Sequence, residues 1–146
     1  GPDVAKMAQE AKDKAIEAKG EAEIAAAKGD CPAADAAAVK AVKAAYNATQ
    51  IAMINALEDE KISEKIRKKI GEPKSELDGI MKAFQIAFPN EADLDPVAKI
   101  AKEAISAAEA ATAAFLQCKG ILGKSVGSLI TAQPTFCERS STAPVA

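Results

Sequence analysis

The chain of 146 residues contains no histidine and no tryptophan. Without histidine there is no imidazole base for a serine or cysteine nucleophile, no His metal ligand and no His-ligated haem. Aromatic residues make up only 3% of the chain, one Tyr and four Phe, so a core of large rings is not available to it. No apolar run approaches the roughly 20 residues needed to cross a bilayer as a helix. Charge of one sign is also missing. Nineteen basic and 21 acidic residues are interspersed and leave a formal charge of −2, whereas a nucleic-acid binder carries a one-sided basic patch. Cysteine is sparse: Cys31, Cys118 and Cys137, none of them in a C-x-x-C pair, which argues against a zinc site. No residue pattern asks for a cofactor.

What the chain has instead is alanine, 35 residues of it, about half of the 49% that is apolar. The alanines are periodic. Val4, Ala8, Ala11, Ala15, Ala18, Ala22 and Ala25 fall at alternating steps of four and three, the spacing of one helix face. A seam whose inward side chains are single methyl groups lets helix backbones approach closely and leaves little room for a large internal pocket. Ala, Lys and Glu are all good helix formers, so propensity contributes more here than in a core of Leu and Phe. The expected fold is all-α: an antiparallel bundle of three long alanine-rich helices plus a short helical hairpin. The bundle domain is expected over 1–132 and an extended, partly mobile tail over 133–146.

The first helix is predicted from about Val4 to Lys28, with Asp3 as N-cap and Lys28-Gly29 as its stop. Asp30-Cys31-Pro32 forms a tight link, and proline in a first helical turn starts the second helix. That helix carries a seam of Ala34, Ala38, Ala41, Ala45, Ala48 and Ala52. A second stripe of Val39, Val42, Tyr46, Thr49 and Met53 lies beside it. Only Lys40, Lys43, Asn47 and Gln50 form a polar strip, so this helix is the central one. The strip turns apolar at Ile54 and Leu57, where something must cover it. The cover is the hairpin: Ile62, Ile66 and Ile70 on one arm, a turn at Gly71-Glu72-Pro73, then Leu77, Ile80, Met81, Phe84 and Phe88 on one face of a helix from about Lys74 to Phe88. No breaker separates Leu57 from Ile62, so the alternative is a second helix that runs unbroken to Ile70. Asp95-Pro96 caps and starts the last long helix, whose seam is Val97, Ile100, Ala104, Ala108, Ala111, Phe115, Cys118 and Leu122. The tail carries Pro134, Pro144 and several Ser and Thr residues.

Candidate sites are few. Glu58-Asp59-Glu60 and the trio Glu91, Asp93, Asp95 are the acidic clusters; neither has the spacing of a calcium loop, and solvated surface explains them. Gly120, Gly123 and Gly127 follow a helix rather than a strand and lack the phosphate-loop string. Lys61 to Lys69 is a basic run interrupted by Glu64 and is read as a solvated helix face. Met53, Met81, Phe84 and Phe88 could line a small lipid pocket, with core packing the simpler account. Asn47-Ala48-Thr49 is a sequon on the polar strip, and Asn47 is the candidate glycosylation site.

The cysteines admit two readings, reduced residues of an intracellular protein or a disulfide in an exported one. Cys31 lies beside a proline in a turn and Cys137 in the Pro/Ser/Thr-rich tail, which favours the disulfide. A Cys118–Cys137 bond would tether the tail. The rival pairing, Cys31–Cys118, requires the second helix to break near Glu58 and the hairpin to add two further passes.

The run KMAQEAKDKAIEAKGEAEIAAAKGDCPAADAAAVKAVKAAYNAT resembles the alanine-rich surface coat proteins of trypanosomes, including the glutamate/alanine-rich protein, and ERSSTAPVA is similar to the stem before a lipid anchor. The resemblance is one of composition. It implies an elongated helical bundle with a membrane-distal head, displayed extracellularly or at the cell surface, and a lipid anchor beyond the C-terminus. The chain is thus expected to be non-enzymatic, a coat or interaction module meeting a protein partner or neighbouring copies, with no nucleic acid. The alternatives are a helical carrier of a small apolar ligand and an intracellular scaffold. Gly1-Pro2 resembles a protease scar, so the lack of a leader before it carries no meaning.

Overall fold

Three aspartates start the three long helices. Asp3 Oδ1 accepts from the Lys6 N–H, Asp30 Oδ1 from the Ala33 N–H, and Asp95 Oδ1 from the Ala98 N–H. Each satisfies a donor that would otherwise lack an intrahelical partner. In the computed structural model, which describes residues 3–57, 66 and 68–120, these caps open α1 (Val4–Ala27), α2 (Cys31–Ala56) and α4 (Pro96–Lys119). Between the last two lie α3 (Glu76–Ala87) and a 3₁₀ turn (Glu91–Asp93). Residues 66 and 68–70 are also helical. Among the described residues every regular element is a helix.

The links are short because their chemistry ends one helix and begins the next. Lys28 caps α1 with αR geometry, and Gly29 follows at φ +75°, a conformation that glycine adopts without strain. Asp30 then caps α2, with Pro32 in the first turn. Gly120, at φ +75°, closes α4 by donating to the Gln117 and Leu116 carbonyls.

The alanine seams meet in the centre. Every buried residue of α1 is alanine: Ala8, Ala11, Ala15, Ala18, Ala22 and Ala25. The α2 seam of Ala34, Ala38, Ala41, Ala45, Ala48 and Ala52 is buried without exception, as are Ala104, Ala108, Ala111 and Phe115 of α4. Each long helix packs on the other two, and α3 packs on α2 and α4. The large side chains collect near α3, where Met53, Ile66, Leu77 and Ile80 are fully enclosed.

One alternative is closed and three expectations need correction. The second helix does not run to Ile70; it ends at Ala56, and the Leu57 N–H closes it on the Met53 carbonyl. Gln50 is not on a solvated strip. It is wholly buried and engaged with a partner, on a helix against which α1, α3 and α4 all pack. Met81 does not face inward. It is 39% exposed, and Ala83 takes the inward position beside Leu77, Ile80 and Phe84. The third helix starts at Glu76 rather than Lys74, for a reason given below. Ile62, Leu122 and the tail over 133–146 lie outside the described residues.

Candidate functional site

The covalent feature of the fold lies at the turn between α1 and α2. Cys31 is the first residue of α2 and Cys118 the penultimate residue of α4, and a disulfide joins them across a Cα–Cα distance of 5.6 Å. This overturns the Cys118–Cys137 pairing. The start of α2 and the end of α4 come to one pole, as this pairing requires, and α2 ends at Ala56, close to the break expected near Glu58. Cys137 lies outside the described residues.

Grooves run between the long helices among the described residues. The first, of about 340 Å³, runs between α1 and α2 and is lined by Lys14, Glu17, Ala18 and Glu21 from one side and Lys40, Lys43, Ala44 and Asn47 from the other. Lys40 Nζ donates to Glu21 Oε2 at 3.1 Å across it. Asn47 is therefore not on a fully exposed strip: it is half-buried on the wall of this groove, and Thr49 of the same sequon is completely buried. The second groove, of about 580 Å³, lies between the C-terminal halves of α1 and α4 and is lined by Ala26, Ala27, Ala110, Ala113 and Ala114 together with Glu23, Gln117 and Cys118. Further up the same helix pair, Lys12 Nζ meets Glu103 Oε2 at 2.6 Å.

The acidic candidates resolve into structural roles. Asp95 is the N-cap of α4, Glu91 pairs with Lys102, and Asp93 sits in the exposed 3₁₀ turn. The Lys102 ammonium holds the Glu91 carboxyl below its ordinary range. Glu58-Asp59-Glu60, Gly123, Gly127 and, of the basic run, residues 61–65 and 67 fall outside the described residues, while Lys68 and Lys69 are exposed on a helix. Among the described residues no three His, Cys, Asp or Glu side chains are grouped to hold a metal ion. No helix of these residues is long and apolar enough to cross a membrane. Of the Met and Phe cluster, Met53 and Phe84 are core. The Phe84 and Phe88 rings stack at a tilt, 4.9 Å apart, and Met81 points outward.

One arrangement was missed in the sequence although its signal is there. Ser75 is buried and its Oγ accepts from the Asp78 N–H at 3.0 Å, while Asp78 Oδ2 accepts from the Lys74 N–H at 3.0 Å. The string Ser75-Glu76-Leu77-Asp78 resembles a capping box, with Asp78 reaching back to the Lys74 N–H rather than to that of Ser75, and it sets the start of α3. Partial burial of Asp78 opposes ionisation, but the Lys74 N–H and the Lys82 ammonium at 3.0 Å outweigh it and hold the carboxyl low. Glu76 beside it behaves oppositely. Burial pushes its carboxyl up, and the charge of Lys43 offsets this only in part.

No known protein family, no curated protein and no solved structure matches the chain.

Proposed function

We propose that this chain is a non-enzymatic, exported helical-bundle protein, a coat or interaction module that works through its outer surface at or beyond the cell surface. The observation that carries the reading is the Cys31–Cys118 disulfide. Such bonds persist in oxidising compartments and are rare where thiols are kept reduced. The alanine core supports it too, since interiors filled by methyl groups hold the long helices close and offer little space for a substrate. The compositional likeness to trypanosome coat proteins points the same way.

The finer architecture belongs to the same proposal: an antiparallel bundle in which α2 runs opposite to α1 and α4, with α3 and the helical residues near 66–70 as the capping hairpin. Glu21 meets Lys40 while Lys14 shares a groove with Asn47, so numbers climb along one helix as they fall along the other. Lys12 meets Glu103 while residues 23–27 share a groove with 110–118, so those two helices climb together.

The test is to recover the protein without reductant from the cells that make it. The reading expects one free thiol, a 31–118 linked peptide in the mass spectrum, and labelling of intact cells or their medium by an impermeant reagent. Three free thiols and labelling only after lysis would refute it. The same preparation reports any glycan on Asn47 as added mass. A carrier function is the weaker choice because the grooves described among these residues are surface clefts between helix pairs; saturable uptake of a fluorescent fatty acid would favour it instead.

A further inference from the structure

The acceptor string Asn47-Ala48-Thr49 lies within α2, and the structure treats its two polar residues in opposite ways. Asn47 is half-buried on the wall of the α1–α2 groove, which it shares with Lys14 and Lys43. Ala48 and Thr49 have no exposure at all, and Gln50, Ile51, Ala52 and Met53 after them are buried as well. A sequon is defined by a hydroxyl two residues after the asparagine, so the enzyme that modifies it must read both side chains at once. In an extended chain residues i and i+2 line one face. In α2 each residue turns by about 100°, so the Asn47 and Thr49 side chains leave the axis about 200° apart. One borders the groove and the other is enclosed in the core. No enzyme surface holds both while the helix stands.

Unwinding α2 at this point is not a local event. α1, α3 and α4 all pack on it, and the Cys31–Cys118 bond ties its first residue to the end of α4. Segments packed in this way open with free energies close to that of global unfolding. Keeping a sugar is a different matter from acquiring one. Asn47 borders a surface cleft of about 340 Å³, so a sugar on its Nδ2 stands in the cleft and displaces nothing from the core. The hydroxyl that the enzyme needs is enclosed, whereas the amide that carries the product is not.

We infer that Asn47 is a glycosylation site which the unfolded chain acquires and the folded chain can only keep. The donor is a sugar joined to a lipid through a diphosphate. Asn47 Nδ2 bonds to the anomeric carbon, the bond from that carbon to the diphosphate oxygen breaks, its electron pair leaves with the diphosphate, and one amide proton passes to solvent. Occupancy is fixed by a race between this transfer and the packing of α2, and closure of the Cys31–Cys118 bond ends the race. The inference rests on the proposed export only for access to the transferase. The order of events follows from α2 itself and holds for the purified protein.

The test offers the full chain, made in a host that adds no glycans, to a purified transferase and its diphosphate-linked donor. One arm holds the oxidised protein and the other the reduced protein. Both contain the lowest urea concentration that abolishes the helical circular dichroism of the reduced form and leaves that of the oxidised form intact; Ala45→Leu in the reduced arm widens this window. A short sequon peptide confirms that the enzyme works in that urea. The reduced, unfolded chain is expected to gain glycan mass on Asn47 at least about a hundredfold faster than the oxidised one, because a core segment is open for only a small fraction of the time. After removal of urea and reoxidation, the glycosylated chain should regain the 31–118 bond and the helical signal. Equal rates in the two arms would overturn the inference. So would an unfolded chain left unmodified where the peptide reacts, or a glycosylated chain that does not refold. Labelling of cells for export is a separate readout, so the two readings fail independently.

Discussion

Cys31 and Cys118 are bonded although 87 positions separate them, so one covalent link spans α2, everything between α2 and α4, and nearly all of α4. A crosslink this long removes much of the conformational freedom of the unfolded chain. Loop-closure arguments give about 4–5 kcal/mol for a loop of this length, and loss of native disulfides costs about 2–5 kcal/mol. Cys31→Ala should therefore lower the urea midpoint by an amount equivalent to about 2–5 kcal/mol. Cys137→Ala should leave it unchanged. If the effects are reversed, the pairing is wrong.

Packing at the seam gives a second prediction. Ala45 of α2 and Ala18 of α1 are buried among methyl groups. A leucine at either site must force helices apart, at a cost of about 1–3 kcal/mol. Ala36 is on the same helix as Ala45 but exposed, so Ala36→Leu should be close to neutral. Urea melts of the three variants check the faces: equal losses for all three would mean that close approach of the backbones does not govern stability.

These seams were legible because the alanine spacing and the cap residues Asp3, Asp30 and Asp95 are local signals, set by the backbone's own hydrogen-bond needs. What was not legible depends on distant segments. Nothing near Leu57 breaks a helix, so the end of α2 at Ala56 cannot be read from its own residues. Gln50 is polar and continues the line of Lys43 and Asn47, yet α2 is already covered at that level. Met81 and Ala83 are both apolar candidates for the inner face of α3, and the choice falls to the partners α2 and α4, against which the smaller residue fits. The pairing of three cysteines likewise turns on which helix ends share a pole. Ser75 is a different case, a local signal present in the string and overlooked.

Ser75 supplies the third prediction. Its buried hydroxyl is the N-cap of α3, accepting from Asp78. Ser75→Ala leaves that donor without its partner and should cost about 0.5–2 kcal/mol. Ser75→Asp restores an acceptor but buries a charge, so it should recover less than Ser75→Thr. Hydrogen exchange at the Asp78 amide should rise in the alanine variant while amides in the middle of α1 stay protected to the same extent. Uniform acceleration throughout would indicate global unfolding rather than loss of a cap.

Glu76 makes stability depend on pH. Burial raises its carboxyl above the ordinary 4.5, with Lys43 pulling the other way. Between the unfolded and the raised folded value, the folded state binds more protons than the unfolded one. The contribution of this group to stability therefore falls as pH rises through that window and stays lower above it. Glu76→Gln removes the penalty. The variant should be more stable than the parent at pH 7, and the difference should shrink to nothing below about pH 4, where both side chains are neutral. Paired melts across pH 3–8 measure this, and a glutamine variant that is less stable at pH 7 would show that attraction to Lys43 outweighs burial.

Thr49 closes the set. It is wholly buried in α2, and its hydroxyl has no hydrogen-bond partner. Its counterpart in α4, Thr112, is equally buried but donates to the Ala108 carbonyl at 2.8 Å. A hydroxyl removed from water without compensation costs about 1–3 kcal/mol, and valine has the same shape without it. Thr49→Val should therefore stabilise the protein by about 1 kcal/mol, whereas Thr112→Val, which gives up a made bond, should be neutral or mildly destabilising. Because Thr49→Val also destroys the sequon, Asn47→Gln is the matched control, and both proteins should be made in a host that adds no glycans. A destabilised Thr49→Val under those conditions would mean that the hydroxyl has a partner, such as an ordered water, in the folded protein in solution.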